Sequence, residues 1–168
     1  MQKRSGTHAV VYYSRNGHTA RLARQLADKL DAEIFEIETG RYRSKLLGYV
    51  RAGFDSLTGR LPKIMPIPNL KTYASVSLGA PVWTSYPATP MRSFLAQQPN
   101  LPPVVGMFAT CGGHSPPDKV FSMARALFGQ PFIATLCIPS LSKEKLTRVH
   151  IAAYCNAIAT ASGMLEAA

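Results

Sequence analysis

Ten residues, Val10-Val11-Tyr12-Tyr13-Ser14-Arg15-Asn16-Gly17-His18-Thr19, constrain the fold more than any other stretch of the chain. Val10 to Tyr13 are β-branched or aromatic, the composition of a strand packed on both faces. Leu22, Ala23, Leu26, Ala27 and Leu30 then recur at helical spacing. A strand, a short polar turn and an amphipathic helix aim the turn's N–H groups and the positive helix end at one spot. Ser14, Asn16 and Thr19 add short polar side chains there, and Gly17 lets the backbone curl closely. Helix capping by Ser14 or Asn16 is the structural alternative. The functional reading is a phosphate cradle, which a bulky β-branched residue at Gly17 is expected to crowd. No Gly-Lys-Ser/Thr closes it and it holds one glycine, so it is neither a nucleoside-triphosphate loop nor a dinucleotide fingerprint. With no lysine and no metal-binding acid, it suits a phosphate monoester that is held and not transferred.

The strand-then-helix rhythm continues along the chain. Glu33 to Glu38 alternates like an edge strand, and Val76 to Val82 is a second buried run. Thr89-Pro90 has the form of an N-cap and first helical residue, opening a helix over Met91 to Gln98. Val104 to Ala109 predicts a further strand, and Ser115-Pro116-Pro117-Asp118 a helix start with an inner stripe of Val120, Phe121, Ala124, Leu127 and Phe128. Phe132 to Ile138 predicts the last strand, and Ser142 a cap for a helix ending near Gly163. Leu46, Leu47, Val50, Phe54 and Leu57 form another stripe, expected to pack on the sheet. Five strands alternating with helices predict an α/β fold, a single doubly wound domain over residues 1–168 with a five-stranded parallel sheet.

Composition narrows the function. At 168 residues, with no apolar run of membrane-spanning length, the chain is expected to be one cytoplasmic domain without a membrane span. Cys111, Cys137 and Cys155 are few and widely spaced, which fits reduced thiols better than a disulfide framework. The four histidines show no metal-ligand spacing with them, so no metal is expected. The net charge is +10, and Arg41, Arg43, Lys45, Arg51, Arg60 and Lys63 stand against Asp55 alone. That basic segment is either a solvated face or an attraction to acidic partners and phosphorylated ligands. Nucleic-acid binding rests on charge alone and is the remote alternative, since no recognised motif accompanies it. A Gly-x-Ser-x-Gly hydrolase turn is absent.

In a doubly wound sheet, ligands sit beyond the carboxyl ends of the strands. Three loops fall at that edge. Ser14 to Thr19 is the cradle, Pro81 to Pro90 carries Trp83 and Tyr86 between prolines, and Thr110 to Ser115 presents bare backbone at Gly112 and Gly113. A phosphate at one end and a planar ring at the other describe flavin mononucleotide, FMN. His114, beside the expected ring edge, is the better candidate for proton transfer, although a surface histidine is its ordinary reading.

Tyr13-Ser14-Arg15-Asn16-Gly17-His18-Thr19, Leu78-Gly79-Ala80-Pro81-Val82-Trp83 and Ala109-Thr110-Cys111-Gly112-Gly113 resemble the three flavin-binding segments of the flavodoxin family, in order along nearly the whole chain. Gly48 to Asp55 is also similar to a segment of flavodoxin-like proteins. The resemblance implies a sheet of strand order 2-1-3-4-5 and noncovalent FMN. It implies phosphate contacts from Ser14, Arg15, Asn16, Gly17, His18 and Thr19, ring contacts from Pro81, Val82, Trp83 and Thr84, and pyrimidine-edge contacts from Thr110, Cys111, Gly112 and Gly113. Asn16 stands where flavodoxins commonly have a second hydroxyl residue, and an amide also donates to phosphate.

Two departures bear on what the flavin does. Electron-carrying flavodoxins are typically acidic, and this chain is basic. They also often place a glycine after the third strand, whereas Thr84 to Pro90 has none and contains two prolines. The expectation is an FMN-dependent oxidoreductase, quinone reductase-like, passing electrons from NADPH or NADH to a quinone or similar acceptor. The alternative is an electron-transfer module docking an acidic redox protein. A homodimer is compatible with either, and no catalytic residue is singled out.

Overall fold

The computed structural model describes residues 8–42, 45–112, 118–140, 142 and 144–166, apart from the side chains of 45, 46, 49, 144 and 164–166. In chain order the elements are β1 (His8–Tyr12), α1 (His18–Leu30), β2 (Ala32–Glu36), α2 (Lys45–Thr58), β3 (Ser75–Trp83), β4 (Tyr86–Pro87), α3 (Thr89–Ala96), β5 (Val104–Cys111), α4 (Asp118–Phe128), β6 (Thr135–Pro139) and α5 (Glu144–Glu166). Five strands run parallel in the order β2-β1-β3-β5-β6. A sixth, β4, pairs antiparallel with the end of β3, with Trp83 opposite Tyr86. The expected five-stranded sheet is therefore corrected to six strands. A two-residue strand containing a proline has no periodicity for a sequence pattern to reveal.

The central strands earn their place by composition. β3 is buried from Ser75 through Ala80, and β5 throughout, as runs covered on both faces must be. On one face, Val10, Phe108 and Leu136 pack beneath Leu22 and Leu26 of α1 and Ile151 and Ile158 of α5. On the other, Val11, Leu78 and Met107 pack with Met91, Phe94 and Leu95 of α3 and Ala124 of α4. β2 lies at the edge, and Ile34 there is 41% exposed.

Boundaries shift where local chemistry outweighs the pattern. Thr89 is the first helical residue of α3 and not its cap: Ala88 takes the cap position without a side-chain bond. The Thr89 hydroxyl instead meets the Tyr42 hydroxyl at 2.7 Å. β6 begins at Thr135, three residues later than the pattern from Phe132 suggests. The expected cap at Ser115 to Pro117 lies outside the described residues, as does His114.

The α2 stripe is the largest correction. Leu47, Val50, Phe54 and Leu57 do not pack on the sheet; they face outward. Among the described side chains of α2 the buried positions are Gly48, Ala52, Asp55 and Ser56, and Leu46 of the expected stripe lies outside them. A Cβ at Gly48 would lie 2.8 Å from the Tyr42 carbonyl oxygen, so only glycine permits this approach. Tyr42 and the polar partners of Asp55 pack beneath these described positions.

Candidate functional site

The described parts of the three expected loops, with the third represented by Thr110 to Gly112, meet at the carboxyl edge of the sheet. After β1, the chain turns through Ser14 to Gly17, where φ of +83° at Gly17 sets the cap of α1. A Cβ at Gly17 would meet nothing within 4 Å. That carbon meets open space, and the left-handed backbone itself disfavours a side chain there. The Gly17 N–H donates to Ser14 Oγ at 3.2 Å, which leaves the serine proton available. No side chain caps α1 and no acid lies in its first turn, so the earliest helical N–H groups have no intrahelical partner.

Between the loops lies a cavity of about 330 Å³ lined by Ser14, Arg15, Asn16, His18, Thr19, Pro81, Val82, Trp83, Thr110, Cys111, Gly112 and Ser140. Gly17 shapes this cavity without lining it, Thr84 adjoins it, and Gly113 lies outside the described residues. Thr19 is buried, and its hydroxyl meets that of Thr110 at 2.7 Å, tying the start of α1 to the end of β5. No carboxylate is among the lining residues. Among the described residues no group of three or more His, Cys, Asp or Glu is placed to hold a metal. The donor set, with hydroxyls, an amide and helix N–H groups at one end and bare backbone at Gly112 at the other, fits a phosphate with an attached flat ring.

Trp83 is fixed by aromatic edges and a strained turn. Its ring meets Tyr13 at 5.6 Å and Tyr42 at 5.3 Å between centroids, both close to perpendicular. Burial pushes each of these tyrosines up to about 12, so both remain neutral phenols. Thr84 and Ser85 follow with φ of 47° and 72°. They form the two-residue hairpin loop between β3 and β4, a geometry that normally calls for glycine or asparagine. Ser56 holds it, with Oγ donating to the Trp83 carbonyl at 2.9 Å and lying 2.7 Å from Thr84 Oγ1.

Beneath Trp83, Asp55 is fully buried and accepts from Arg41 Nε at 2.5 Å, Arg41 Nη2 at 2.9 Å and the Tyr42 hydroxyl at 2.7 Å. The Arg41 guanidinium holds this carboxyl below the usual carboxylate range. Arg92 of α3 donates to the Ser56 carbonyl at 3.1 Å, a cation at the carboxyl end of α2. Sequence reasoning missed Tyr42, Asp55 and Ser56 as supports, and Ser140 as a lining residue. Ser140 was foreseeable, because the loop after the last parallel strand reaches the same edge. Cys111 Sγ lies 3.7 Å from Cys137 Sγ, and burial beside it pushes Cys137 up to about 12.

No family model and no curated protein matches this sequence. Solved structures do. A flavoprotein in complex with FMN from Lactobacillus acidophilus NCFM is 25% identical, covers 77% of this chain and 91% of its own, and superposes with a TM-score of 0.68. A flavodoxin, WrbA-like protein from Agrobacterium tumefaciens is 18% identical over 91% of this chain and 97% of that one, at a TM-score of 0.56. A flavodoxin from the domain Archaea is 15% identical over 92% and 98%, at 0.55. The chain has a flavodoxin-like fold. Its parallel sheet with helices on both faces is the architecture that these structures share.

Proposed function

We propose that the protein is an FMN-dependent oxidoreductase that receives hydride from NADPH or NADH and delivers two electrons to a quinone or similar acceptor. The observation that carries this reading is the convergence of the three loops on one acid-free cavity at the strand ends. Bound FMN would supply the hydride chemistry. The Ser14 hydroxyl, the Asn16 amide and the first N–H groups of α1 would hold its phosphate. Pro81 to Thr84 would flank the ring, and Thr110 to Gly112 would meet its pyrimidine edge. The absence of a carboxylate in the lining leaves negative charge on a reduced ring unopposed. A single cradle, with no second glycine-rich turn for a pyrophosphate, favours FMN over FAD.

Anaerobic titration of the purified protein with NADPH and NADH, followed by heat release and chromatography of the flavin, tests the proposal. Saturable FMN binding and bleaching by a nicotinamide are expected. A chain that neither quenches FMN fluorescence nor purifies with flavin sinks the reading. The net charge of +10 supports a second reading, an electron-transfer module for an acidic partner. Tight FMN binding with no reduction by either nicotinamide would favour it.

A further inference from the structure

We infer that the outer face of α2 is a docking surface for an anionic lipid bilayer. Leu47, Val50, Phe54 and Leu57 are 61, 64, 59 and 73% exposed, although each is large and apolar. At helical spacing they fall within about 80° of the helix circumference, a single outward ridge about 15 Å long. The inward positions among the described side chains, Gly48, Ala52, Asp55 and Ser56, are small or polar, while the large apolar ones there face outward. A helix built this way leaves its apolar stripe for something outside the chain.

Charge identifies the occupant. The single acid between Lys45 and Lys63 is Asp55, which is buried and paired with Arg41. Exposed Arg51 flanks the ridge, and exposed Arg60 and Lys63 follow its carboxyl end. With +10 on each chain, a second copy would meet like charge across the contact. The ridge itself is aliphatic plus one Phe, without a Trp or Tyr anchor of the kind that dominates protein interfaces, and it is short for a protein interface. A bilayer needs no complementary pocket, and apolar side chains with a basic rim are the two signals that interfacial binding combines. Among the described residues no helix is long and apolar enough to cross a membrane, so this face lies on the bilayer and does not enter it as a span.

Docking here would sit beside the ring site. Ser56, next to Leu57, bonds both Trp83 and Thr84, so the ridge adjoins the hairpin that borders the cavity. With a quinone dissolved in the bilayer as acceptor, a consequence that alone rests on the proposed function, the site would open near the lipid.

Flotation with phosphatidylcholine vesicles, with and without phosphatidylglycerol, tests docking without any flavin chemistry. The protein should float with the anionic vesicles and dissociate as salt rises. The double variant Phe54→Ser, Leu57→Ser, with melting unchanged, should partition at least about tenfold more weakly. Phe54→Trp gives a second readout, a blue shift of emission on adding anionic vesicles and none with neutral ones. No flotation at low salt overturns the inference, and so does equal flotation of the serine variant. A dimer in sedimentation, or binding to polyglutamate, that the serine variant abolishes while vesicles stay empty assigns the ridge to a protein and also overturns it. Failure of nicotinamide reduction with flotation intact would count against the proposed function and leave the docking surface standing.

Discussion

Asp55 joins pieces of chain that the sequence keeps apart: Arg41, Tyr42 and, through the Tyr42 hydroxyl, Thr89. Its carboxyl titrates lower in the fold than in the unfolded chain, because Arg41 and the Tyr42 hydroxyl favour the charged form. The unfolded state therefore takes up a proton first as pH falls. The stability contributed by this group is complete above the unfolded value of about 4 and is lost as pH drops through the lower folded value. Asp55→Asn should destabilise by about 1.5–3 kcal/mol at neutral pH. It should also flatten the acid limb of a stability curve measured by denaturant unfolding at several pH values. An unchanged acid limb would show that Asp55 is not the titrating group. Gly17 gives a second prediction at this scale. Gly17→Ala creates no clash, yet a left-handed alanine costs about 1–2 kcal/mol. The midpoint of unfolding should fall accordingly, and FMN fluorescence quenching should require more protein. An alanine variant as stable as the parent would mean that the turn has relaxed to negative φ.

At the scale of elements, the hairpin from Trp83 to Tyr86 stores strain beside the cavity. Two non-glycine residues at positive φ each cost about 1–3 kcal/mol, and such strain survives only where neighbours hold it. Ser56 is that neighbour for Thr84, whereas Ser85 is partly exposed. Ser85→Gly should raise stability by up to about 1 kcal/mol, the relief of strain exceeding the entropy gained by the unfolded chain. Thermal melting checks this, and a lowered midpoint would refute it. Much at this scale was legible in the sequence. Buried strands announce themselves as β-branched runs, and α1 as a clean apolar period, because burial on both faces leaves little choice of residue. The orientation of α2 was not legible from its stripe. Periodicity says that one side is apolar, but not which side meets the protein. The missing signal was on the other side, where Gly48, Ala52 and Ser56 at four-residue spacing mark the close approach to Tyr42 and Trp83. Thr89-Pro90 misled by one position because its hydroxyl serves Tyr42 and not the helix end.

Over the whole molecule, charge is divided unevenly. Five of the nine acids lie between Asp28 and Glu38, while no acid occurs from Ser56 to Pro117. Arg41 belongs to Asp55, and among the described side chains of the basic segment Arg51, Arg60 and Lys63 are exposed, the cations we propose a phosphorylated ligand would meet. Guanidinium forks match phosphate oxygens, and the ligand that differs by one phosphate is NADPH against NADH. NADPH is therefore expected to reduce the flavin faster, by about tenfold at low salt, the equivalent of one charge-assisted contact. Raising ionic strength from 0.01 to 1 M shortens the screening length from about 30 to 3 Å, which should close most of that gap. Stopped-flow reduction at several salt concentrations measures it. The double variant Arg51→Gln, Arg60→Gln should lower the NADPH rate toward the NADH rate without changing the latter, because NADH has no phosphate for these side chains to meet. A preference for NADH, or a gap indifferent to salt, would place nicotinamide selectivity in the loops of the cavity and not in the basic face.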